Sequence, residues 1–273
     1  MSATNMQLVS SSISYFTLLR SVIRSLTVMS LPDNPLVWNF TAGRRNKDAD
    51  VEGPFYVIGS PSREIEKGKA IMAPISMLKK CRPFLMTVRV VAPDGSPIPG
   101  AVLDWWQADS SGGYYFWTYT LRGRVATDDQ GYAEVLTVVP APYGAGSIMR
   151  AGHFHLWVHA PAVQSGQPAY DDLTTQIYVC NANDVQLLKY DFVNYMRGSR
   201  EWNMTKAWSI PDKDVDEGRP LGNFPELLSN DEDSRKRVNW WNVRLVEMGE
   251  PDLKVAAGGT RVLHLNPKGK YYN

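Results

Sequence analysis

The sequence predicts a mainly β fold, in which an antiparallel β-sandwich forms the central domain, a helical segment precedes it and an irregular extension follows it. Two observations predict the sandwich. Short runs rich in β-branched and aromatic residues lie between positions 84 and 180, and turn signals made of proline, glycine and aspartate separate them. The runs are 84–92, 101–107, 132–139, 154–160 and 175–180. A third observation, an apolar period of three to four residues near the N-terminus, predicts the helix.

Segment 1–32 is predicted to be an amphipathic helix, because its apolar residues would share one face. These residues are Val9, Ile13, Phe16, Leu19, Ile23 and Leu26. Such a face needs a cover, which is either the chain's own domain or a second copy of the chain, and the pattern favours neither. The segment contains Arg20 and Arg24 but no acid before Asp33. Transit peptides share this composition, so retention and targeting are both open.

Three segments follow this helix. Residues 33–50 mix proline, asparagine, glycine and charge, which predicts a linker. Residues 51–185 are predicted to form the β domain, and residues 186–273 an extension that packs on it. In the extension, the run 238–246 could add a strand, and residues 220–225 could be a lid or a loop.

Composition excludes several classes of protein. The 273 residues are 44% hydrophobic and 21% charged, which is ordinary for a soluble globular protein. A formal net charge of +1 offers no field for nucleic acid, and no stretch of about 18 residues is both uncharged and predominantly apolar, as a membrane span requires. Cys81 and Cys180 make neither a disulfide framework nor a Cys-x-x-Cys site. This favours a reducing compartment, and we expect the cytoplasm.

Two of the four histidines, His153 and His155, stand two residues apart in a predicted strand. Residues i and i+2 of a strand point to the same face, so both imidazoles can bind one metal ion. This spacing alone is weak evidence, because two histidines on a half-buried strand also occur with hydrogen bonds to backbone or water.

Further motifs keep a fixed order around this pair. They are Val51–Tyr56, Trp105–Tyr114, Leu121–Arg124, Thr127–Tyr132, Pro140–Tyr143, Arg150–Val158 and Leu173–Ile177. In this order they resemble the intradiol ring-cleavage dioxygenases, the non-haem Fe(III) enzymes that open catechols between their two hydroxyls. The resemblance covers about residues 51 to 180, and its specificity comes from the shared order of several motifs.

The resemblance implies one non-haem Fe(III) per chain and a set of four ligands. The implied ligands are Tyr114, Tyr143, His153 and His155. It also implies that Arg150 and Gln176 lie beside the bound substrate, and that Tyr143 acts as a base for the incoming hydroxyl. The implied reaction inserts both atoms of O₂ into a catecholic substrate and yields a cis,cis-muconate-type diacid. Relatives of this family also imply a homodimer joined through N-terminal helices.

The residue types suit ferric iron. Two phenolates and a hydroxide would neutralise a hard trivalent ion, while two imidazoles would complete its coordination. A phenol with a pKa of about 10 ionises at neutral pH only when a strong charge such as a metal ion favours the anion. We expect Tyr115 and Tyr119 to be packing residues, His159 to be structural and His264 to be exposed.

Two alternatives stay open at this stage. The chain could be a β-sandwich binding module that has lost its chemistry, since a fold does not imply a function. It could also be a metal hydrolase that uses His-x-His. A hydrolase needs an acidic ligand or base, and Glu134 is the only acid between Gln130 and Gln164.

Two short loops predict a wide substrate site. Nine residues separate Tyr143 from His153 and six separate Tyr114 from Leu121, fewer than in catechol-cleaving relatives. A flexible Gly152 also stands where the family string has a proline-containing turn before the first histidine. We therefore expect a bulky or substituted diol as substrate, unless aromatic residues of the extension refill the space. The candidates for refilling are Phe224, Trp240 and Trp241.

Overall fold

A computed structural model describes residues 11–34, 37, 46–146, 148–162, 168–179, 188–197, 201–211 and 224–269. Its helices are α1 (Tyr15–Ser30), α2 (Ile75–Cys81), α3 (Phe192–Arg197) and α4 (Glu232–Glu247), with a short 3₁₀ turn at Glu201–Asn203. Its strands are β1 (Glu64–Glu66), β2 (Lys69–Ile71), β3 (Phe84–Val91), β4 (Val102–Gln107), β5 (Arg122–Ala126), β6 (Tyr132–Thr137), β7 (Tyr143–Ala145), β8 (Ile148–Arg150), β9 (His153–His159), β10 (Leu173–Tyr178), β11 (Lys206–Ser209) and β12 (Ala257–His264).

Two β-sheets pack face to face around the main core. The larger sheet has the strand order β1-β2-β6-β3-β12-β11, and the smaller has the order β10-β9-β4-β5. Side chains of both sheets meet in one buried cluster, in which the rings of Phe84 on β3 and Phe154 on β9 lie 5.8 Å apart. Strands β7 and β8 form a separate ribbon. The predicted mainly β fold is confirmed.

The larger sheet is mixed rather than antiparallel. Strand β3 pairs in parallel with β12, and β2 pairs in parallel with β6. The smaller sheet, which carries both predicted histidine ligands, is antiparallel throughout. The alternation of side chains along a strand is the same in both kinds of pairing, so the sequence pattern could not distinguish them.

The C-terminal segment is not the irregular extension that the sequence predicts. Strand β12 lies inside the larger sheet, between β3 and β11. The run 238–246, interpreted as a possible strand, lies in helix α4, where Val238, Trp241 and Leu245 are buried at helical spacing. Its aromatic and β-branched composition favoured a strand, but the burial follows the helical period. Residues 220–223 of the predicted lid lie outside the described residues.

One arginine attaches helix α1 to the β domain. The guanidinium of Arg24 donates two hydrogen bonds to the Glu52 carboxylate, at 3.0 and 2.7 Å. It also lies between two aromatic rings, 4.8 Å from the centroid of Tyr56 and 4.5 Å from that of Trp157. A helix is thus observed within the predicted segment 1–32, although residues 1–10 lie outside the described residues.

The end of the predicted linker belongs to the β domain. Residues 35, 36 and 38–45 are outside the described part of the chain, but Asp48 and Asp50 are buried. The Asp48 carboxylate accepts a hydrogen bond from Arg261 and forms another with Nδ1 of His264, both at 2.8 Å. His264 was predicted to be exposed and is instead a partly buried residue of β12.

Three smaller expectations concern membranes, cysteines and His159. In the described part of the chain, no helix has the length and apolar character needed to cross a bilayer. Cys81 is a free thiol, and Cys180 lies outside the described residues. His159 hydrogen-bonds the Asp172 carboxylate at 3.1 Å and packs on Trp157, as expected of a structural residue.

The position of β12 makes a test of the C-terminal segment possible. A Cβ at Gly258 would collide with the Trp208 ring and would lie 2.5 Å from the carbonyl oxygen of Leu85. We expect Gly258→Val to lower the free energy of unfolding by about 1–3 kcal/mol or more, because overpacking forces the strands apart. Denaturant unfolding measures this, with Val262→Ala at an exposed position of β12 as the control. Equal, small effects would mean that β12 is dispensable.

Candidate metal centre

Three elements bring the four predicted ligands together. His153 and His155 lie on β9, Tyr143 begins β7, and Tyr114 lies in the loop between β4 and β5. The ring centroids of Tyr143 and His153 are 5.7 Å apart, those of Tyr114 and Tyr143 are 5.4 Å apart, and those of Tyr114 and His155 are 6.4 Å apart. The two phenols and the two imidazoles therefore surround one small volume.

The imidazoles face each other through their Nε2 atoms, which lie 2.9 Å apart. Nδ1 of His153 lies 2.6 Å from the carbonyl oxygen of Ala151, which fixes the ring if Nδ1 carries the proton and leaves the Nε2 lone pair free for a metal ion. His155 stacks on Trp106, with centroids 4.9 Å apart and an interplanar angle of 8°. Burial lowers the pKa of His155 well below its usual value, so the ring is neutral, as a ligand must be.

The two phenols are placed where only a cation would ionise them. The Tyr114 hydroxyl is buried, and its ring lies beside that of Tyr143. Burial raises the pKa of Tyr114 well above its usual range. Burial also raises the pKa of Tyr143, and the positive charge of Arg150 partly offsets this increase. A metal ion between the rings would supply the charge that favours both phenolates.

The donor set fits a hard trivalent metal ion. Two neutral imidazoles and two ionisable phenols match ferric iron better than soft metals, which prefer thiolates. Among the described residues, no group of three His, Cys, Asp or Glu side chains could hold a metal ion without the tyrosines. The residues present therefore fit the implied Fe(III), and the two phenols are essential to that fit.

Arg150 and Gln176 form a buried network beside the ligands. The Arg150 Nε donates to both oxygens of Asp191, at 3.0 and 2.8 Å, and its Nη2 donates to the Gln176 amide oxygen at 2.6 Å. Gln176 is opposite His155 in the β9–β10 pairing, and its amide donates to the carbonyl of Val51 at 2.8 Å. The structure thus brings both predicted substrate-side residues next to the histidines.

Sequence reasoning missed the role of Asp191. This fully buried carboxylate also accepts hydrogen bonds from the backbone N–H groups of Ala151, Val193 and Asn194. It lies beyond residues 51 to 180, which the sequence motifs cover, and no local signal marks an acid as the partner of an arginine 41 residues earlier.

Gly152 is not the flexible residue that the sequence analysis expects. A Cβ at this position would collide with the carbonyl oxygen of Pro140. The glycine therefore permits a close approach of two backbone segments just before His153. Gly53 has a related role: its φ is +72°, and a Cβ there would lie 3.4 Å from Cε1 of His155.

Comparisons with known proteins agree with this geometry. Residues 51–206 match the protein-family model described as Dioxygenase. Catechol 1,2-dioxygenase of Pseudomonas sp. (strain EST1001) is 33% identical over 147 residues, covering 46% of this chain and 45% of that protein. Chlorocatechol 1,2-dioxygenase of Rhodococcus opacus is 29% identical over 149 residues, covering 47% and 54%. The chain thus spans about half the length of these relatives.

A solved structure shows the same fold at low identity. Wild-type catechol 1,2-dioxygenase of Acinetobacter radioresistens superposes with a TM-score of 0.59 and 20% identity, covering 94% of this chain and 80% of that one.

The buried Arg150–Asp191 pair predicts a large loss of stability on substitution. We expect Asp191→Asn to lower the free energy of unfolding of the metal-free protein by about 3–5 kcal/mol, because it leaves a buried cation without its partner. The matched control is Asp129→Asn, which breaks the exposed ion pair with Lys67 and should change the free energy of unfolding very little, because solvent screens that pair. Similar losses in both variants would show that Asp191 does not hold Arg150.

Proposed function

The chain belongs to the intradiol ring-cleavage dioxygenase family, and we propose that it cleaves a catechol-type ring between its two hydroxyls with O₂ to give a cis,cis-muconate-type product. The observation that carries this proposal is the facing Nε2 pair of His153 and His155 beside the phenols of Tyr114 and Tyr143. We propose one non-haem Fe(III) per chain, held by Tyr114, Tyr143, His153 and His155. When bound, it would supply the Lewis acidity that draws in both substrate oxygens as anions.

The protein's own residues would bind the diol and manage its protons. Tyr143 is half-buried and next to Arg150, so its phenolate is suited to accept the proton of an incoming hydroxyl. Arg150 would stabilise negative charge that develops on the substrate, since its guanidinium is already fixed by Asp191 and Gln176. Tyr114, His153 and His155 would keep their places, because each packs against buried neighbours.

The hydrolase alternative lacks its base. Glu134, the acid that a His-x-His hydrolase would need, accepts hydrogen bonds from Arg237 and Trp241 on α4. Through these contacts Glu134 attaches α4 to the larger sheet. An inactive binding module is disfavoured because all four ligand positions converge in three dimensions.

We further propose that the substrate is a bulky or substituted member of the diol class. The relatives above are named for catechol and chlorocatechol. The three aromatic residues that could have refilled the site pack elsewhere. The ring centroids of Phe224 and Phe84 are 6.2 Å apart. Trp241 is fully buried in the apolar cluster beneath α4, and Trp240 packs against it. The short segment 144–146 beside Tyr143 is exposed, which fits an open mouth.

We propose that a second copy of the chain covers helix α1, giving a homodimer. Four of the six residues that the sequence placed on one apolar face are exposed: Phe16 by 67%, Leu19 by 58%, Ile23 by 56% and Leu26 by 61%. Ile13 is buried against the chain's own domain, and Val9 lies outside the described residues. A face of this kind exposes more apolar surface than isolated surface residues do.

The free thiol of Cys81 and the formal net charge of only +1 support a further proposal. We propose a cytoplasmic enzyme without nucleic-acid or membrane partners.

Iron content and colour test the proposed function first. We expect about one iron per chain and a visible band, because electrons of the two phenolates can be promoted to Fe(III) at low energy. Tyr143→Phe should bind iron less firmly and slow turnover, since one anionic ligand and one base are lost together. Tyr195→Phe, at a position 82% exposed on α3, is the control. Iron-supplemented parent protein without a visible band would refute the assignment.

Substrate size is tested by comparing kcat/KM for catechol, a 4-substituted catechol and a naphthalenediol. We expect the larger diols to be preferred, because each additional Å² of buried apolar surface adds about 25 cal/mol to binding. A clear preference for plain catechol would show that the mouth is closed.

The dimer is tested by placing charge on helix α1. We expect Leu19→Glu with Ile23→Glu to shift the protein from dimer to monomer in sedimentation velocity, because two carboxylates would be buried in the interface. Val246→Glu, at a position 55% exposed on α4, is the control. A monomeric parent would contradict the proposal.

A further inference from the structure

Arg122 is a buried cation that forms no ion pair among the described residues, although the buried Asp104 carboxylate attracts it electrostatically. Its side chain is 1% exposed, and burial lowers the pKa of its guanidinium to about 10. The Nε donates to the Tyr115 carbonyl at 3.1 Å, and the Nη1 donates to the Phe55 carbonyl at 2.6 Å. Among the described residues, no carboxylate forms an ion pair with it, and Nη2 has no hydrogen-bond acceptor. Burying a charge in this way is expensive unless an anion compensates it.

The sheet register places Arg122 in line with the candidate metal centre. Arg122 pairs with Trp106 on β4, Trp106 pairs with His155 on β9, and His155 pairs with Gln176 on β10. Directly paired residues of neighbouring strands point to the same face. Arg122 therefore lies at the end of a row of four side chains that passes through a proposed iron ligand.

Both carbonyls that Arg122 binds belong to the surroundings of Tyr114. Tyr115 is the next residue in the chain, and the Phe55 ring packs on the Tyr114 ring with centroids 4.6 Å apart. The Tyr114 hydroxyl, like Nη2 of Arg122, is buried, and the positive charge of Arg122 favours its ionised form. A buried cation and an ionisable phenol thus lie in the same neighbourhood.

The residue just before Arg122 has a strained backbone conformation. Leu121 has a φ of +56°, although it is a bulky residue and fully buried. Such a conformation costs roughly 1–3 kcal/mol and persists only where the surroundings enforce it, commonly next to functional sites.

We propose that Arg122 is the positioning residue for Tyr114: it supplies the buried positive charge that balances the Tyr114 phenolate and ties together the loops on either side of that ring. The inference rests on the proposed function, since the phenolate exists only when the metal ion is bound. It gives the two buried arginines near the centre different roles. Arg150 forms an ion pair with Asp191 and is proposed to act on the substrate. Arg122 is proposed to act on the ligand Tyr114.

The test is a spectroscopic comparison of Arg122→Met, Arg122→Lys and the control Arg124→Met in the iron-loaded protein. Arg124 lies two residues further along β5, is exposed and donates to the Ser60 carbonyl. We expect Arg122→Met to shift the visible band to longer wavelength, because the phenolate loses the cation that holds its electrons. Arg122→Lys, which keeps the charge, and Arg124→Met should leave the band near that of the parent.

Iron affinity gives the second measurement. We expect Arg122→Met to weaken iron binding by about 10- to 100-fold, as substitutions behind metal ligands commonly do. In a Tyr114→Phe background the same substitution should have little further effect, because the group it supports is gone. If Arg122→Met does not fold, Arg122→Gln, which is neutral and can still donate to one carbonyl, replaces it in both comparisons.

The outcomes separate the inference from the function on which it rests. A parent without iron or colour would overturn both. A coloured parent whose band is unmoved by Arg122→Met, or is moved equally by Arg124→Met, would overturn the role of Arg122 alone. Additive losses of iron affinity in the Tyr114→Phe background would do the same.

Discussion

The alternation of side chains along β9 is the constraint on which the rest of the structure depends. Phe154, Leu156 and Val158 point into the core between the two sheets, so burial fixes the register of the strand. His153 and His155 must then point to the opposite face, towards the tyrosines of the neighbouring loops. A slip of one residue would exchange the two faces and lose the core and the metal centre together.

Charge around the centre follows from burial. Around the centre, Arg150 is paired with Asp191, Arg24 is paired with Glu52, and the phenols are suited to a metal ion. Burial raises the pKa of Glu52 to about 7 in spite of the Arg24 charge, which shows how strongly this region disfavours charge. Arg122 forms no ion pair with a carboxylate among the described residues. In such surroundings its charge favours a nearby anion, which we propose is the Tyr114 phenolate.

The proposed ligands could be named from the sequence because they belong to a strand and to short loops with local patterns. Two histidines at strand spacing define a face, and motif order identified Tyr114 and Tyr143. The partners in three dimensions could not be predicted. Asp191 and β12 meet the domain across long sequence separations, and the glycines of β12, Gly258 and Gly259, weaken its strand signal. Helix α4 was missed because Trp240, Trp241 and the valines near them suit a strand by composition.

The segment 52–55 explains why the helix and the metal centre form one unit. Glu52 binds Arg24 of α1, and Gly53 lies against His155, where a larger residue would crowd the imidazole. Two residues later the Phe55 ring packs on Tyr114, and the Phe55 carbonyl accepts the hydrogen bond of Arg122. Within four residues, a carboxylate, a glycine and an aromatic ring each meet a different requirement, so the residue types of this motif follow from its contacts. A displacement of α1 would therefore be transmitted through Glu52 directly to the surroundings of two proposed ligands.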